Sequence, residues 1–426
     1  MNMWLNKMKV CLFARSLLTC KYRKFVTCFN LRTNQIRRIN YSRIFYLCNN
    51  NKPKSEIELG SRSVKELLEN AAEFKDDLQS ENDVWSTPVY PVNADPRRDQ
   101  AVHSIRPKVD PRTTSVVLFP GQGSQYVGMG KQLLEYKNVK EMYEIASQIA
   151  GYDLLQLCLT GPKEELDKTL HCQLAVVVTS LAAVERLKEE NPEAIEQCVA
   201  TAGFSVGEYA ALVFAGALSF EDAIRLVKIR GQAMQEASEQ ISSGMMTVFF
   251  HPDAKIKFAC KAAEQWCKRQ GIEDPVCTVA NYLYPECKVI AGNMEALKFI
   301  ELNASDFGIK KLKYLPVSGA FHTLLMKPAE EVLKNALKNT NFNSPLIPVH
   351  SNIDGKPHKD ASDIRKNLCK HVCKPVKWEQ TLHILYTRPT DTPFPNSFVC
   401  GPDRSLQTLL RMVNLKAWKS SKHVET

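Results

Sequence analysis

Acidic residues are missing from the first 55 positions of this 426-residue chain, although that stretch holds twelve lysines and arginines (Lys7, Lys9, Arg15, Lys21, Arg23, Lys24, Arg32, Arg37, Arg38, Arg43, Lys52 and Lys54). The chain has 56 basic and 46 acidic residues, so removing those twelve leaves 44 against 46. The net charge of +10 is therefore a property of the N-terminus alone. Basic residues without acids, interleaved with Trp4, Leu5, Leu12, Phe13, Leu17 and Leu18, make the pattern of a mitochondrial transit peptide, expected over residues 1–50. A secretory signal needs an unbroken apolar core, which Arg15 interrupts. A basic tail for nucleic acid is the competing reading. The apolar residues mixed through the stretch favour transit, and no nucleic-acid partner is expected.

Three further absences narrow the field. No uncharged run has the length of a membrane span. The most apolar of the long ones, Thr169 to Val184, includes His171, Gln173, Thr179 and Ser180 and suits a buried helix. The fourteen cysteines form no C-x-x-C pair, and Cys369-Lys-His371-Val-Cys373 fits no common zinc spacing, so free thiols and no metal are expected. Nucleotide loops are lacking too. FPGQGSQ (119–125) has Tyr126 where a dinucleotide fingerprint needs glycine, and Gly130-Lys131 is followed by Gln132, which denies a P-loop.

What is present is an α/β pattern. Residues 51–112 are proline-rich and read as a linker, with one possible short helix capped by Ser63. SVVLF (115–119) and the run from Cys198 are buried-strand patterns, with helices between them. The alternation predicts a mostly parallel sheet covered on both faces. From residue 243 to 317 the texture changes to βαββαβ, the split arrangement of ferredoxin-like modules. It is expected as an insertion in a large domain made of 113–242 and 318–415, with 416–426 as a tail.

Four places could carry chemistry. Gly203-Phe204-Ser205-Val206-Gly207 is a G-x-S-x-G pattern after a strand, as at a strand–turn–helix nucleophile elbow. The same serine opens S-x-x-E with Glu208, which is also an ordinary capping box. Gln122 sits between two glycines at a strand end, where a donor could meet an oxyanion, although from this piece alone a tight turn with a surface glutamine is the better reading. Arg230 shares its helix face with Ala223, Leu226, Val227, Ala233, Met234 and Ala237. A guanidinium there needs a buried anion, from the protein or from a ligand. His322, in VSGAFHT just after a strand, is a candidate base.

FPGQGSQ, GFSVGEYAAL, VKIRGQAMQEA, VSGAFHT and PVKWEQT, in that order, resemble the malonyl-CoA:acyl carrier protein transacylases, especially the mitochondrial members, over about residues 113–415. The resemblance implies an α/β-hydrolase-like large domain with a ferredoxin-like insert. It implies Ser205 as the acylated nucleophile, His322 as its base, and an oxyanion hole from Gln122 and the Val206 N–H. Arg230 would hold the malonyl carboxylate. His322 would be oriented by a backbone carbonyl within Val376 to Trp378. Malonyl-CoA and acyl carrier protein are the implied partners, with no cofactor; a monomer in the mitochondrial matrix is expected. Many bacterial relatives have histidine where this chain has Phe204, and Phe321 is similar to the malonyl-preferring members. Lys310, Lys311 and Lys313, or Lys255 and Lys257, could meet an acidic carrier, or be solvated surface. A serine thioesterase or hydrolase, with an acid among Asp222, Asp253, Asp274 and Asp306, and a non-catalytic scaffold are the rival readings.

Overall fold

The computed structural model describes residues 109–426. The expected transit peptide and the helix at Ser63 lie outside the described residues. Ten strands are described: β1 (Ser115–Phe119), β2 (Cys198–Gly203), β3 (Ser243–Phe250), β4 (Cys277–Tyr284), β5 (Cys287–Asn293), β6 (Ile309–Tyr314), β7 (Val349–His350), β8 (Val376–Lys377), β9 (Asn396–Cys400) and β10 (Ser421–Val424). They form two five-stranded sheets, ordered β10-β9-β1-β2-β7 and β6-β3-β5-β4-β8.

Every pairing in the first sheet is parallel. Its central strand β1 is buried at all five positions, as an apolar run covered on both faces must be. Helix Thr169–Glu190 covers one face. By length and hydropathy it could cross a membrane, but most of it is buried in the core. Val177, Ala182 and Leu187 join Val117 and Phe119 in that cluster. On the other face Val116, Leu118, Ala200 and Val399 pack with Trp378 and Leu382.

In the second sheet, β3 to β6 and helices Ile256–Arg269 and Met294–Leu302 follow the βαββαβ order, and β6-β3-β5-β4 is its antiparallel arrangement. The final strand of this module is short. β6 begins at Ile309 and ends at Tyr314, because Pro316 cannot donate to a ladder.

Two boundaries differ from the sequence reading. Val376–Lys377 belongs to the second sheet, where β8 runs parallel to β4. Val376 also packs with β1 residues, so PVKW ties the two sheets together. Residues 416–426 are not a tail. They contain helix Leu415–Lys419, which begins one residue earlier, and strand β10, which lies parallel to β9 from Ser421↔Ser397 to Val424↔Cys400. The apolar signal of β10 is a single buried Val424 among polar neighbours, too weak to read as a strand.

Candidate active site

The site is built at the carboxyl end of β2, where a parallel sheet of this kind places its ligands. The chain leaves β2 through Gly203, Phe204 and Ser205 and enters helix Gly207–Phe214. Ser205 has φ +51°, a left-handed conformation uncommon for a side-chain-bearing residue. Both glycines are required by close approach. A Cβ on Gly203 would stand 1.9 Å from the Gly207 carbonyl oxygen, and one on Gly207 would stand 2.4 Å from that of Phe119. The Phe204 N–H donates to the Phe119 carbonyl at 2.8 Å, which seats FPGQG against the elbow.

The expected capping box does not form. Helix Gly207–Phe214 has no side-chain cap. The Ser205 Oγ lies 2.9 Å from His322 Nε2 instead, and the Glu208 carboxylate is buried among Asn352 and His358. His322 Nδ1 is 2.9 Å from the His371 carbonyl, which can only accept. Nδ1 therefore carries the proton, leaving Nε2 to accept from the serine hydroxyl. The orienting carbonyl is that of His371 and not one within Val376 to Trp378. Helix Ala361–His371 ends there, and its last carbonyls have no intrahelical partner. Burial first, and then the Arg230 charge, push the His322 pKa down to about 4. The imidazole is thus neutral at physiological pH.

Arg230 is 1% exposed, as its place on the apolar face of helix Phe220–Gln240 requires. Nη1 donates to Gln173 Oε1 at 2.5 Å and Nη2 donates to Ser205 Oγ at 3.1 Å. Among the described residues no carboxylate lies within ion-pair distance of it, and its Nε has no partner. Burial lowers its pKa, yet a guanidinium stays charged in proteins. A buried cation with only neutral partners suits an anionic ligand.

Gln122 is half-buried, and its Nε2 donates to Thr169 Oγ1 at 3.1 Å instead of to Ser205. Val206 is fully buried, and its N–H has no acceptor among the described residues. Phe204, the departure from the bacterial pattern, has a plain packing role: its ring meets Trp378 edge-on at 5.4 Å between centroids. Phe321 is buried in the core cluster. Lys310, Lys311, Lys313 and Lys255 are exposed, and Lys257 is half-buried.

Sequence reasoning missed Gln173, Asn352, Glu208 and the His371 carbonyl. Glu208 could have been suspected from a carboxylate inside an otherwise apolar helix; a backbone carbonyl leaves no signal in side-chain identity.

The acyl transferase domain family matches residues 116–388. The probable malonyl-CoA-acyl carrier protein transacylase, mitochondrial, of Drosophila melanogaster is 52% identical over 319 residues, 75% of this chain and 84% of that protein. This chain is a member of the malonyl-CoA-acyl carrier protein transacylase family. The mitochondrial transacylase of Homo sapiens is also 52% identical, over 74% of this chain and 81% of that one. Among solved structures, the Coxiella burnetii transacylase superposes with a TM-score of 0.66 at 32% identity, covering 74% of this chain and 95% of that one. A malonyl-transacylase in complex with its type II PKS acyl-carrier protein gives 0.63 at 31% identity, over 74% and 96%.

Proposed function

We propose that this member of the transacylase family moves the malonyl group from malonyl-CoA to the thiol of acyl carrier protein through a malonyl-serine at Ser205. The observation that carries the reading is the meeting of Ser205 Oγ with His322 Nε2 at 2.9 Å and with the buried Arg230 at 3.1 Å. A nucleophile, its base and a cation for the substrate's free carboxylate converge on one atom.

In the first half-reaction the Ser205 hydroxyl gives its proton to His322 Nε2 as its oxygen attacks the malonyl thioester carbonyl. The oxyanion takes hydrogen bonds from the Val206 N–H and from Gln122, the latter after leaving Thr169. One such donor is worth on the order of 10² to 10³ in rate. The C–S bond breaks and His322 returns the proton to coenzyme A. In the second half-reaction the carrier thiol gives its proton to His322, attacks the serine ester, and Ser205 leaves with that proton. Arg230 grips the malonyl carboxylate throughout, since a planar fork suits a carboxylate.

The enzyme is an acyltransferase of the mitochondrion that serves fatty acid synthesis, and we place it in the matrix as a monomer. A serine hydrolase of Ser–His–acid type is less well supported, because the His322 Nδ1 partner is a carbonyl and not one of the four aspartates. Incubation with malonyl-CoA, with and without carrier protein, separates the two. Malonyl-carrier product supports transfer; free malonate without it would favour the hydrolase.

A further inference from the structure

Asn352 stands two residues beyond β7, whose register against β2 pairs Thr201 with Val349 and Ala202 with His350. That register carries it alongside the elbow. Its Oδ1 accepts the Ser205 N–H at 2.7 Å, and its Nδ2 donates to the Gly203 carbonyl at 2.6 Å. The same Nδ2 donates to Glu208 Oε2 at 2.5 Å, and the Asn352 N–H donates to that oxygen at 2.9 Å. The Asn352 carbonyl accepts the Lys377 N–H at 2.8 Å. The other Glu208 oxygen faces His358 Nε2 at 3.0 Å. Asn352, Glu208 and His358 are all buried.

An amide turned end for end would present Nδ2 to the Ser205 N–H, donor against donor. It would also turn Oδ1 toward a carbonyl and a carboxylate. Glu208 therefore permits one orientation of the Asn352 amide, the one that bridges Gly203 and Ser205. This gives a use for a carboxylate that caps nothing.

We infer that Asn352, oriented by Glu208, is a positioning residue for the transfer reaction. It bridges the residues on either side of Phe204 and holds Ser205 in its left-handed conformation. By engaging the Ser205 N–H it leaves the Val206 N–H as the uncommitted donor of the elbow. The inference rests on the proposed role of Ser205 as nucleophile.

Four variants test it beside the wild-type enzyme. Asn352→Ala lets the serine drift, and a misplacement of about 1 Å costs on the order of 10²-fold. We expect kcat to fall about 10- to 100-fold, with KM for malonyl-CoA within about twofold, because Arg230 is untouched. Asn352→Asp keeps the acceptor for Ser205 but sets a second carboxylate against Glu208. His358 and His371 also face Glu208, with Asp363 behind His358 and with His322 and Arg230 across the serine. At high pH both carboxylates are ionised and the donor is lost. As pH falls they share a proton, which restores an O–H donor. Activity relative to wild type therefore rises from about pH 8 to about pH 5.5. Glu208→Gln keeps an oxygen for both Asn352 donors and retains most activity, whereas Glu208→Ala does not.

Wild-type kcat in Asn352→Ala, a loss shared by kcat and KM, a pH-independent deficit in Asn352→Asp, or equal losses in the two Glu208 variants would each overturn the inference. If the alanine variants fail to fold, the near-isosteric Asn352→Asp decides by its pH ratio. Failure of wild type to form a malonyl adduct on Ser205 would instead sink the nucleophile assignment itself.

Discussion

The guanidinium of Arg230 touches the nucleophile candidate: Nη2 lies 3.1 Å from Ser205 Oγ, inside the hydrogen-bond reach of a side chain that is 1% exposed. On the proposed reading an acyl group bearing a carboxylate would pair that buried cation, and an acetyl group would leave it unpaired. The difference is roughly 3–5 kcal/mol, or about two to three and a half decades. Arg230→Ala should therefore lower malonyl transfer by about that factor and relax selectivity toward acetyl-CoA. Equal losses with both substrates would remove Arg230 from the role of carboxylate clamp.

As the proposed base, His322 should set the acid limit. Its pKa is pushed down to about 4 by burial and by Arg230, so the neutral base persists far below the usual histidine range. The pH profile of kcat/KM should stay level to about pH 5 and fall below it, instead of falling near 6.5. Arg230→Ala removes one of the two causes, so the acid limb of residual activity should move to higher pH. The same shift bears on stability. Between about 4 and 6.5 the unfolded chain binds the proton and the folded chain does not. This histidine thus weakens the fold as pH falls through that window.

The elbow leaves no room for a methyl group. Gly203→Ala would force a Cβ to 1.9 Å from the Gly207 carbonyl oxygen, a backbone atom that cannot swing aside. The backbone must shift, at a cost at or beyond the upper end of about 1–3 kcal/mol for overpacking. Urea unfolding should show a lowered midpoint, and transfer should be lost even where the protein folds.

Truncation after Ser420 removes β10. It uncovers the β9 edge and breaks the His423 bond to the Gly401 carbonyl at 2.9 Å. The melting temperature should drop clearly. A truncated chain with unchanged melting would mean that the strand contributes nothing to the sheet.

Much of this was legible in the sequence because the signals were local. SVVLF is apolar at four successive positions, 116 to 119, and the helix at Ser219 carries its own cap, with Ser219 Oγ accepting from the Asp222 N–H at 3.1 Å. Arg230 could be picked out because a charge on an apolar stripe contradicts its surroundings. What was illegible depends on distant pairing. Asn352 meets Ser205 across 147 residues of chain, and only the β2–β7 register brings them together. The His371 carbonyl is invisible because backbone atoms are the same everywhere. The capping box that S-x-x-E allows does not form because a buried Asn352–Glu208–His358 cluster takes the same carboxylate, and nothing within the motif reveals it.

The central claim is that Ser205 carries the malonyl group between its two thiol partners. Its most direct test is intact-protein mass spectrometry after brief exposure to malonyl-CoA, with peptide mapping, followed by addition of holo-carrier protein. A single malonyl adduct on Ser205, absent from Ser205→Ala and moved to the carrier on its addition, is the predicted result. An unmodified Ser205 while malonyl-carrier protein still accumulates would contradict it.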